Sequence, residues 1–213
     1  MKNDLRPLIK MGSRGLRVLV VFSHPDDETI FLGGTITRFK NWQWHLLCVT
    51  DCDEKRNKRR RHELQRVCDI YKKAGSRVEL AMLGIVKERG RLPVHKIRES
   101  VSAYVDKNGP FHIVFTHNKW GDYGHKTHKA VSSALNGLGL KNIRRFYLPY
   151  YAENSKSSLS NAVVERIELD PEAFRVKSRA IGVYLKGSQR SNLGRLKRLL
   201  NFVLSAKYEY ISS

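Results

Sequence analysis

The sequence predicts an α/β fold with a mostly parallel central sheet. Short apolar runs typical of buried strands alternate with longer segments of helical period, and polar segments that contain glycine or proline separate them. Strands that alternate with helices in this way are usually joined by right-handed crossovers and lie parallel to one another. Because open sheets of this kind bind ligands at the carboxyl ends of their strands, we expect the functional residues there.

Apolar periodicity places the elements in chain order. Gly75 and the break at 108–110 end two of the helices, because glycine and proline interrupt the helical backbone. Strands are predicted at 16–22, 43–49, 78–83, 111–115 and 142–148, and helices at 30–39, within 50–75, at 94–105 and at 126–135.

The pattern weakens after Pro149. The segment 152–161 is rich in Ser and Asn and is predicted to be an exposed connection. A strand at 163–169 and helices at 171–184 and 192–204 are predicted to follow. We therefore expect a single domain over 1–213, with a core at about 16–150 and a C-terminal extension, 151–213, that packs on the core.

The net charge indicates which kinds of partner the protein favours. The 213 residues include 40 Lys plus Arg against 20 Asp plus Glu, which gives a formal charge of +20. Such a charge favours polyanionic partners, whether nucleic acid, anionic lipid, phosphorylated sugar or acidic polysaccharide, and does not choose among them.

The cysteines and the hydropathy of the sequence indicate the cellular compartment. Cys48, Cys52 and Cys68 form no CxxC pair, which is typical of reduced thiols in the cell interior. The first residues lack the apolar core of a signal peptide, and no run approaches the roughly 20 apolar residues of a membrane helix. We expect a cytoplasmic protein without an integral membrane segment.

A polar cluster directly follows the first predicted strand: His24, Asp26, Asp27 and Glu28 surround Pro25. The proline favours an extended backbone at His24 and so fixes where the imidazole points. His24 and Asp27 can converge on one ion from a tight loop and leave Asp26 free on its other side. One carboxylate would then bind metal, while the other takes a proton from the attacking water. The pattern gives Glu28 no chemical role.

A second cluster follows the strand at 111–115 and carries His125 and His128. His128, at the start of a predicted helix, is the natural third ligand. Two histidines and one carboxylate leave a coordination position open, which is typical of catalytic zinc, although iron(II) uses the same set. His125 can enter the site without binding metal and stabilise a developing oxyanion, as a cation or as a neutral donor.

Three segments resemble the zinc-dependent de-N-acetylases of the PIG-L/LmbE family: HPDDE at 24–28, RxxEL at 60–64 and GHKTH at 124–128. The resemblance implies a Rossmann-like three-layer fold. It also implies a hydrolase that removes the N-acetyl group from an N-acetylglucosamine-type amino sugar or its conjugate. The implied residues are His24, Asp27 and His128 as ligands of Zn²⁺ (or Fe²⁺), Asp26 as general base, His125 as carbonyl-polarising group and Arg60 as substrate contact.

Other loop residues are candidates for substrate binding. Asp122 and Tyr123, with Trp120, follow the fourth strand and either line a sugar site or pack within the loop. His117 is either a group behind the site or a loop histidine. Three departures from the family pattern stand out. In the tail, Tyr184, Ser188 and Gln189 only approximate the family's Tyr-x-Ser-Gln. Lys126 and Thr127 replace the Pro and Asp of the common HPDH motif, and the loop 84–93 offers Lys87, Glu88, Arg89 and Arg91 instead of an aspartate.

The alternative to an enzyme is a basic nucleic-acid-binding protein with a vestigial metal site. The basic run at 55–66 and the charge of +20 favour it. Such a protein would bind nucleic acid with a strong salt dependence and release no acetate. A third hypothesis, compatible with the enzyme, is a basic surface that docks on an anionic lipid or a phosphorylated glycan.

Overall fold

The computed structural model describes residues 15–50, 54–122, 124–140, 142–148, 164–187 and 208–212. Within these ranges the strands form one sheet in the order β3-β2-β1-β4-β5-β7-β6. The strands are β1 (Arg17–Phe22), β2 (Gln43–Thr50), β3 (Arg77–Ile85), β4 (Ile113–His117), β5 (Arg144–Leu148), β6 (Val164–Glu168) and β7 (Tyr208–Ser212). The helices are α1 (Asp27–Arg38), α2 (Glu54–Lys73), α3 (Val94–Asn108), α4 (Lys126–Asn136) and α5 (Pro171–Gly187).

The strands β1 to β5 are mutually parallel, whereas β7 runs antiparallel to both β5 and β6. The predicted mostly parallel sheet is therefore confirmed. β1 lies at the centre, where Val18 pairs with Trp44 of β2 on one side and with Ile113 of β4 on the other. The chain winds outward from β1 in both directions, so the crevice between the carboxyl ends of β1 and β4 is the switch point at which such folds bind ligands.

Helices cover both faces of the sheet. Successive residues of a strand point to opposite faces, so Val20 and Leu19 of β1 belong to two different cores. One core includes Leu32 of α1, Leu64 of α2 and Ala180 of α5, and the other is closed by α3 and α4. This arrangement of helices on a central sheet confirms the three-layer prediction.

The observed elements differ from the predicted ones mainly at their ends. α1 begins at Asp27, three residues before the predicted start, because the N–H groups of Thr29 and Ile30 donate to the carbonyl of Asp26. Two acidic residues of the polar cluster therefore lie in the first helical turn. β7 has no predicted counterpart. The predicted connection at 152–161 and helix at 192–204 lie outside the described residues.

The C-terminal elements contact the core at α1, α2 and β5. α5 packs on α1 and α2, and a side chain at Gly34 would overlap Leu169. From β7, the buried carboxylate of Glu209 accepts the N–H groups of Gly34 and Thr35 at 2.7 Å. The single domain stays a prediction. None of the described helices has the length and apolar character needed to cross a bilayer.

Candidate metal and catalytic centre

The loop between β1 and α1 brings the first polar cluster to the crevice. The backbone N–H of His24 donates to Oδ2 of Asp27 at 2.8 Å, and the N–H of Asp27 donates to the carbonyl of His24. Between them, Asp26 has a φ of 128°, a conformation that L-residues rarely adopt. These contacts hold the two acidic side chains on different sides of one turn.

Three of the predicted side chains converge on one point. Nε2 of His128 lies 3.2 Å from Nδ1 of His24, and Oδ2 of Asp27 lies 3.4 Å from each of these nitrogens. Ligands about 2.0–2.1 Å from a tetrahedral zinc lie roughly 3.3–3.4 Å from one another, because the angle between them is about 109°. The spacing of these three donors therefore fits one tetrahedral ion.

The charge on Asp27 also suits a cation. Burial favours the neutral acid, but the neighbouring imidazoles, His128 foremost, hold the pKa of Asp27 well below its usual value. Asp27 is therefore a buried carboxylate next to two imidazoles, a combination that a divalent ion would balance.

Asp122 lies behind His128 rather than in the crevice. Its buried Oδ2 accepts Nδ1–H of His128 at 2.7 Å and Nδ1–H of His117 at 2.5 Å. The predicted substrate contact by Asp122 stays a prediction that these contacts do not support, since both hydrogen bonds hold the carboxylate away from solvent. Asp122 instead fixes the proton of His128 on Nδ1, so that the lone pair of Nε2 faces His24 and Asp27, as metal binding requires.

His117, at the end of β4, completes this arrangement and is fully buried. Its Nε2 accepts the backbone N–H of Ser23 at 2.9 Å, while its Nδ1–H donates to Asp122. Although His117 forms a possible cluster of metal donors with Asp27 and His128, both of its nitrogens are already occupied. The ring acts behind the site as a link between the ends of β1 and β4, one of the two roles left open by the sequence.

Asp26 faces Arg60 of α2. Nη2 of Arg60 lies 3.0 Å from Oδ2 of Asp26 and also donates to the carbonyl of Pro25. Burial raises the pKa of Asp26 to about 6, although Arg60 acts in the opposite direction. A carboxylate with a pKa near 6 is a stronger base than an ordinary aspartate and is still ionised at neutral pH.

Glu28 anchors the loop from within the core. Its buried carboxylate accepts hydrogen bonds from the N–H of Asp26 at 3.1 Å, from Oγ1 of Thr29 at 2.6 Å and from the hydroxyl of Tyr184 at 2.7 Å. Burial raises the pKa of Glu28 to about 7. Glu28 therefore holds the turn that carries Asp26, a role that no sequence pattern indicated.

His125 lies beside the metal-ligand candidates and, with His24 and His128, forms a second group of donors close enough to hold an ion. Its ring centre is 4.9 Å from that of His24 and 4.6 Å from that of His128. Burial and the neighbouring imidazoles lower the pKa of His125 to about 4. Of the two forms that the sequence allowed, the neutral hydrogen-bond donor is therefore the one favoured at neutral pH.

The structure thus brings His24, Asp26, Asp27, His125 and His128 to one crevice with Arg60 beside them. Tyr123 lies outside the described residues. No role in the site was assigned from the sequence to Glu28, Thr127 or Tyr184. The helical period of 171–184 placed Tyr184 in a helix. It could not predict the contact of Tyr184 with Glu28, which lies more than 150 positions away in the sequence.

Comparison with known proteins gives a family match. Residues 19–137, more than half of the chain, match the family model described as PIG-L, GlcNAc-PI de-N-acetylase. An uncharacterised protein of Acanthamoeba polyphaga mimivirus is 25% identical over 143 residues, which cover 61% of this chain and 60% of that relative. The matched part is thus less than two thirds of the relative's length.

Solved structures agree in fold. A zinc-inhibited form of a teicoplanin deacetylase has a TM-score of 0.65 and 16% identity, covering 92% of this chain and 97% of that one. The N,N'-diacetylchitobiose deacetylase of Pyrococcus horikoshii, in complex with an inhibitor, has a TM-score of 0.64 and 18% identity, covering 95% and 85% respectively. At this identity the likeness establishes a shared fold.

Proposed function

Because the chain belongs to the PIG-L family of GlcNAc-PI de-N-acetylases, we propose that it is a metal-dependent hydrolase of N-acetylated amino sugars. The observation that carries the proposal is the convergence of His24, Asp27 and His128, whose donor atoms lie 3.2–3.4 Å apart. The substrate is an N-acetylglucosamine-type sugar or its conjugate. The products are acetate and the free amine.

Zinc is the proposed metal, with iron(II) as the alternative. His24 would bind through Nδ1, His128 through Nε2 and Asp27 through Oδ2, because these are the atoms that face one another. A bound ion would supply Lewis acidity, which activates water and polarises the acetamide carbonyl. Asp122 would keep His128 in the tautomer that can bind.

Asp26 is the proposed general base. As an ionised carboxylate it accepts a proton from the attacking water, and its pKa of about 6 suits that step at neutral pH. Arg60, 3.0 Å from Asp26, orients this carboxylate and moderates its basicity. In the second half of the reaction the protonated Asp26 returns a proton to the leaving amine.

His125 is the proposed donor to the oxyanion. Its low pKa keeps it neutral, so one ring N–H donates to the carbonyl oxygen as negative charge develops there. A neutral donor of this kind is already in place before the reaction and needs no proton from solvent.

We further propose that the substrate carries an anionic group near the sugar. Lys87 is exposed in the loop after β3, and its charge is among those that lower the pKa of His125, so its ammonium lies within electrostatic range of the site. In the same loop, Glu88 is paired with Lys96 at 2.6 Å, while Arg89 is exposed at the turn. The loop therefore presents net positive charge to a ligand in the crevice.

Acetate release from a panel of N-acetylglucosamine conjugates, neutral and phosphorylated, tests these proposals. Zinc-loaded protein should release acetate, stop after chelation and recover when zinc is restored. Asp26→Asn should retain zinc but lose about 10²–10⁴ of its activity, whereas the exposed Asp69→Asn should not. No acetate release from any conjugate, together with salt-dependent binding of nucleic acid, would instead favour the nucleic-acid alternative.

The anionic preference has its own variants. Lys87→Gln should raise KM for phosphorylated conjugates and leave KM for neutral ones unchanged, while Lys73→Gln, in the last turn of α2, should affect neither. Equal KM values for both classes of conjugate in the wild type would remove this part of the proposal.

The location in the cell interior also stays a proposal, consistent with the buried thiol of Cys68.

A further inference from the structure

Thr127 contacts two imidazoles with one hydroxyl group. Its Oγ1 lies 2.8 Å from Nδ1 of His125 and 3.0 Å from Nε2 of His24. The side chain is buried at the start of α4, while His24 belongs to the loop after β1. The hydroxyl therefore bridges two segments of the centre at the position where the sequence departs from the HPDH motif.

One hydroxyl has one proton, which limits how the bridge can work. If Oγ1 donates to His125, it must accept from His24, and if it donates to His24, it must accept from His125. The two directions correspond to different tautomers of His125. In the first, Nδ1 of His125 is an acceptor and the ring proton lies on Nε2; in the second, the proton lies on Nδ1.

The position of His24 selects one direction. Nδ1 of His24 faces the donor atoms of Asp27 and His128, so a metal at that point requires the lone pair of Nδ1. The ring proton is then on Nε2 and donates to Oγ1 of Thr127. The hydroxyl proton consequently points to Nδ1 of His125, which places the ring proton of His125 on Nε2.

We propose that Thr127 is a positioning residue that couples metal binding at His24 to the tautomer of His125. This inference rests on the proposed function, because the tautomer matters only if His125 donates to a developing oxyanion. A threonine can connect the two rings without adding charge, in contrast to the aspartate that it replaces. The oxyanion donor is then set in its active form only when the metal site is filled.

Nitrogen-15 NMR of the imidazoles tests the proposal without relying on activity, since protonated and unprotonated ring nitrogens have distinct shifts. The chain has eight histidines, and a His125→Gln spectrum identifies the His125 signals. In wild-type protein, addition of zinc should shift His125 to the form with the proton on Nε2. Thr127→Ser should do the same, because it keeps the hydroxyl.

Thr127→Val should bind zinc and leave His125 in a mixture of tautomers. The matched control is Thr37→Val, which removes another buried hydroxyl, bonded to the carbonyl of Gly33 far from the centre, and should behave as wild type. Ser23 Oγ, 3.4 Å from Nε2 of His24, can replace part of the bridge on the His24 side only. For this reason His125 is the ring to observe.

Two results would overturn the proposal: a proton on Nδ1 of His125 in the zinc-loaded wild type, or an unchanged Nε2–H population in Thr127→Val. If the valine variant does not fold, the zinc titration of wild type and Thr127→Ser still decides the first point. Steady-state rates add a second readout, a loss of about 10–100-fold in kcat for valine that serine restores. A zinc-dependent tautomer without acetate release would reject the deacetylase and leave the coupling intact.

Discussion

The carboxylate of Glu28 accepts a hydrogen bond from the backbone N–H of Asp26, with an N···O distance of 3.1 Å. Asp26 has a φ of 128°, and a conformation of that kind persists only where the surroundings hold it. Tyr184 of α5 donates to the same carboxylate. The C-terminal part of the chain thus supports the backbone of the proposed base through one buried acid.

Glu28→Gln should weaken this support and change how stability depends on pH. The ionised form of Glu28 is disfavoured in the folded protein, where its pKa is about 7, above the ordinary 4.5. The corresponding stabilisation is complete below pH 4.5 and is lost as the pH rises through 7, on the order of 3 kcal/mol. Urea unfolding at pH 5 and pH 8, with chelator present, should show a smaller loss in the variant.

The Glu28 carboxylate uses both oxygens as acceptors, Oε2 for the Asp26 N–H and Oε1 for the hydroxyls of Thr29 and Tyr184. The amide introduced by Glu28→Gln has only one acceptor oxygen, so the turn is held less firmly and kcat should also fall in this variant. Glu99→Gln is a suitable control, since Glu99 is an exposed acid of α3, away from the turn that carries Asp26. An unfolding free energy with the wild-type pH dependence in Glu28→Gln would show that Glu28 titrates normally.

Arg60→Gln should move the acidic limb of the pH–rate profile. Because the charge of Arg60 lowers the pKa of Asp26, its removal raises that pKa, and the base becomes ionised only at higher pH. The ascending limb of kcat/KM should therefore shift to higher pH in Arg60→Gln. The exposed Arg66→Gln should keep the wild-type profile. An ascending limb of kcat/KM at the wild-type pH would show that Arg60 does not influence the ionisation of Asp26.

Asp122→Asn should weaken zinc binding about 10–100-fold. The neutral amide no longer holds the proton of His128 on Nδ1. If its NH₂ group takes the place of Oδ2, it also faces the ring N–H groups of His128 and His117, so that donor opposes donor. Competition with a chromophoric chelator measures the dissociation constant. Asp106→Asn, on the distant α3, is the control. Tight zinc binding in Asp122→Asn would mean that His128 keeps its tautomer by another contact.

The metal-ligand candidates were predictable because their signal is local. His24 and Asp27 lie within four residues after an apolar strand, and that position in a parallel sheet leads to the ligand-binding crevice. His128 follows the strand that pairs with the same central strand. Because β1 and β4 are neighbours in the sheet, the two motifs that follow them lie at one site.

The roles of Asp122, Glu28 and Tyr184 were not predictable, because they depend on which way a side chain turns after the fold is complete. Asp122 has a positive φ of 61° and points back into the protein. Glu28 resembled the other acids of a solvated loop, yet α1 begins before it and carries it into the core. β7 was missed because pairing with β5 and β6 depends on distant partners.

Glu209→Gln tests the proposal that the C-terminal extension and the core form one domain. Glu209 of β7 pairs with Lys177 of α5 at 2.7 Å, both nearly inaccessible, and also accepts two N–H groups of α1. Loss of its charge leaves the buried ammonium unbalanced and should cost about 3–5 kcal/mol of unfolding free energy.

Glu172→Gln is the control. The pair of Lys40 and Glu172 has a similar N···O distance of 2.8 Å, but both side chains are exposed, so this change should cost less than about 1 kcal/mol. Thermal unfolding should stay a single transition that shifts as a whole in Glu209→Gln, since the same carboxylate contacts both parts. Two separate transitions, with only one of them lowered, would show that the extension unfolds independently of the core.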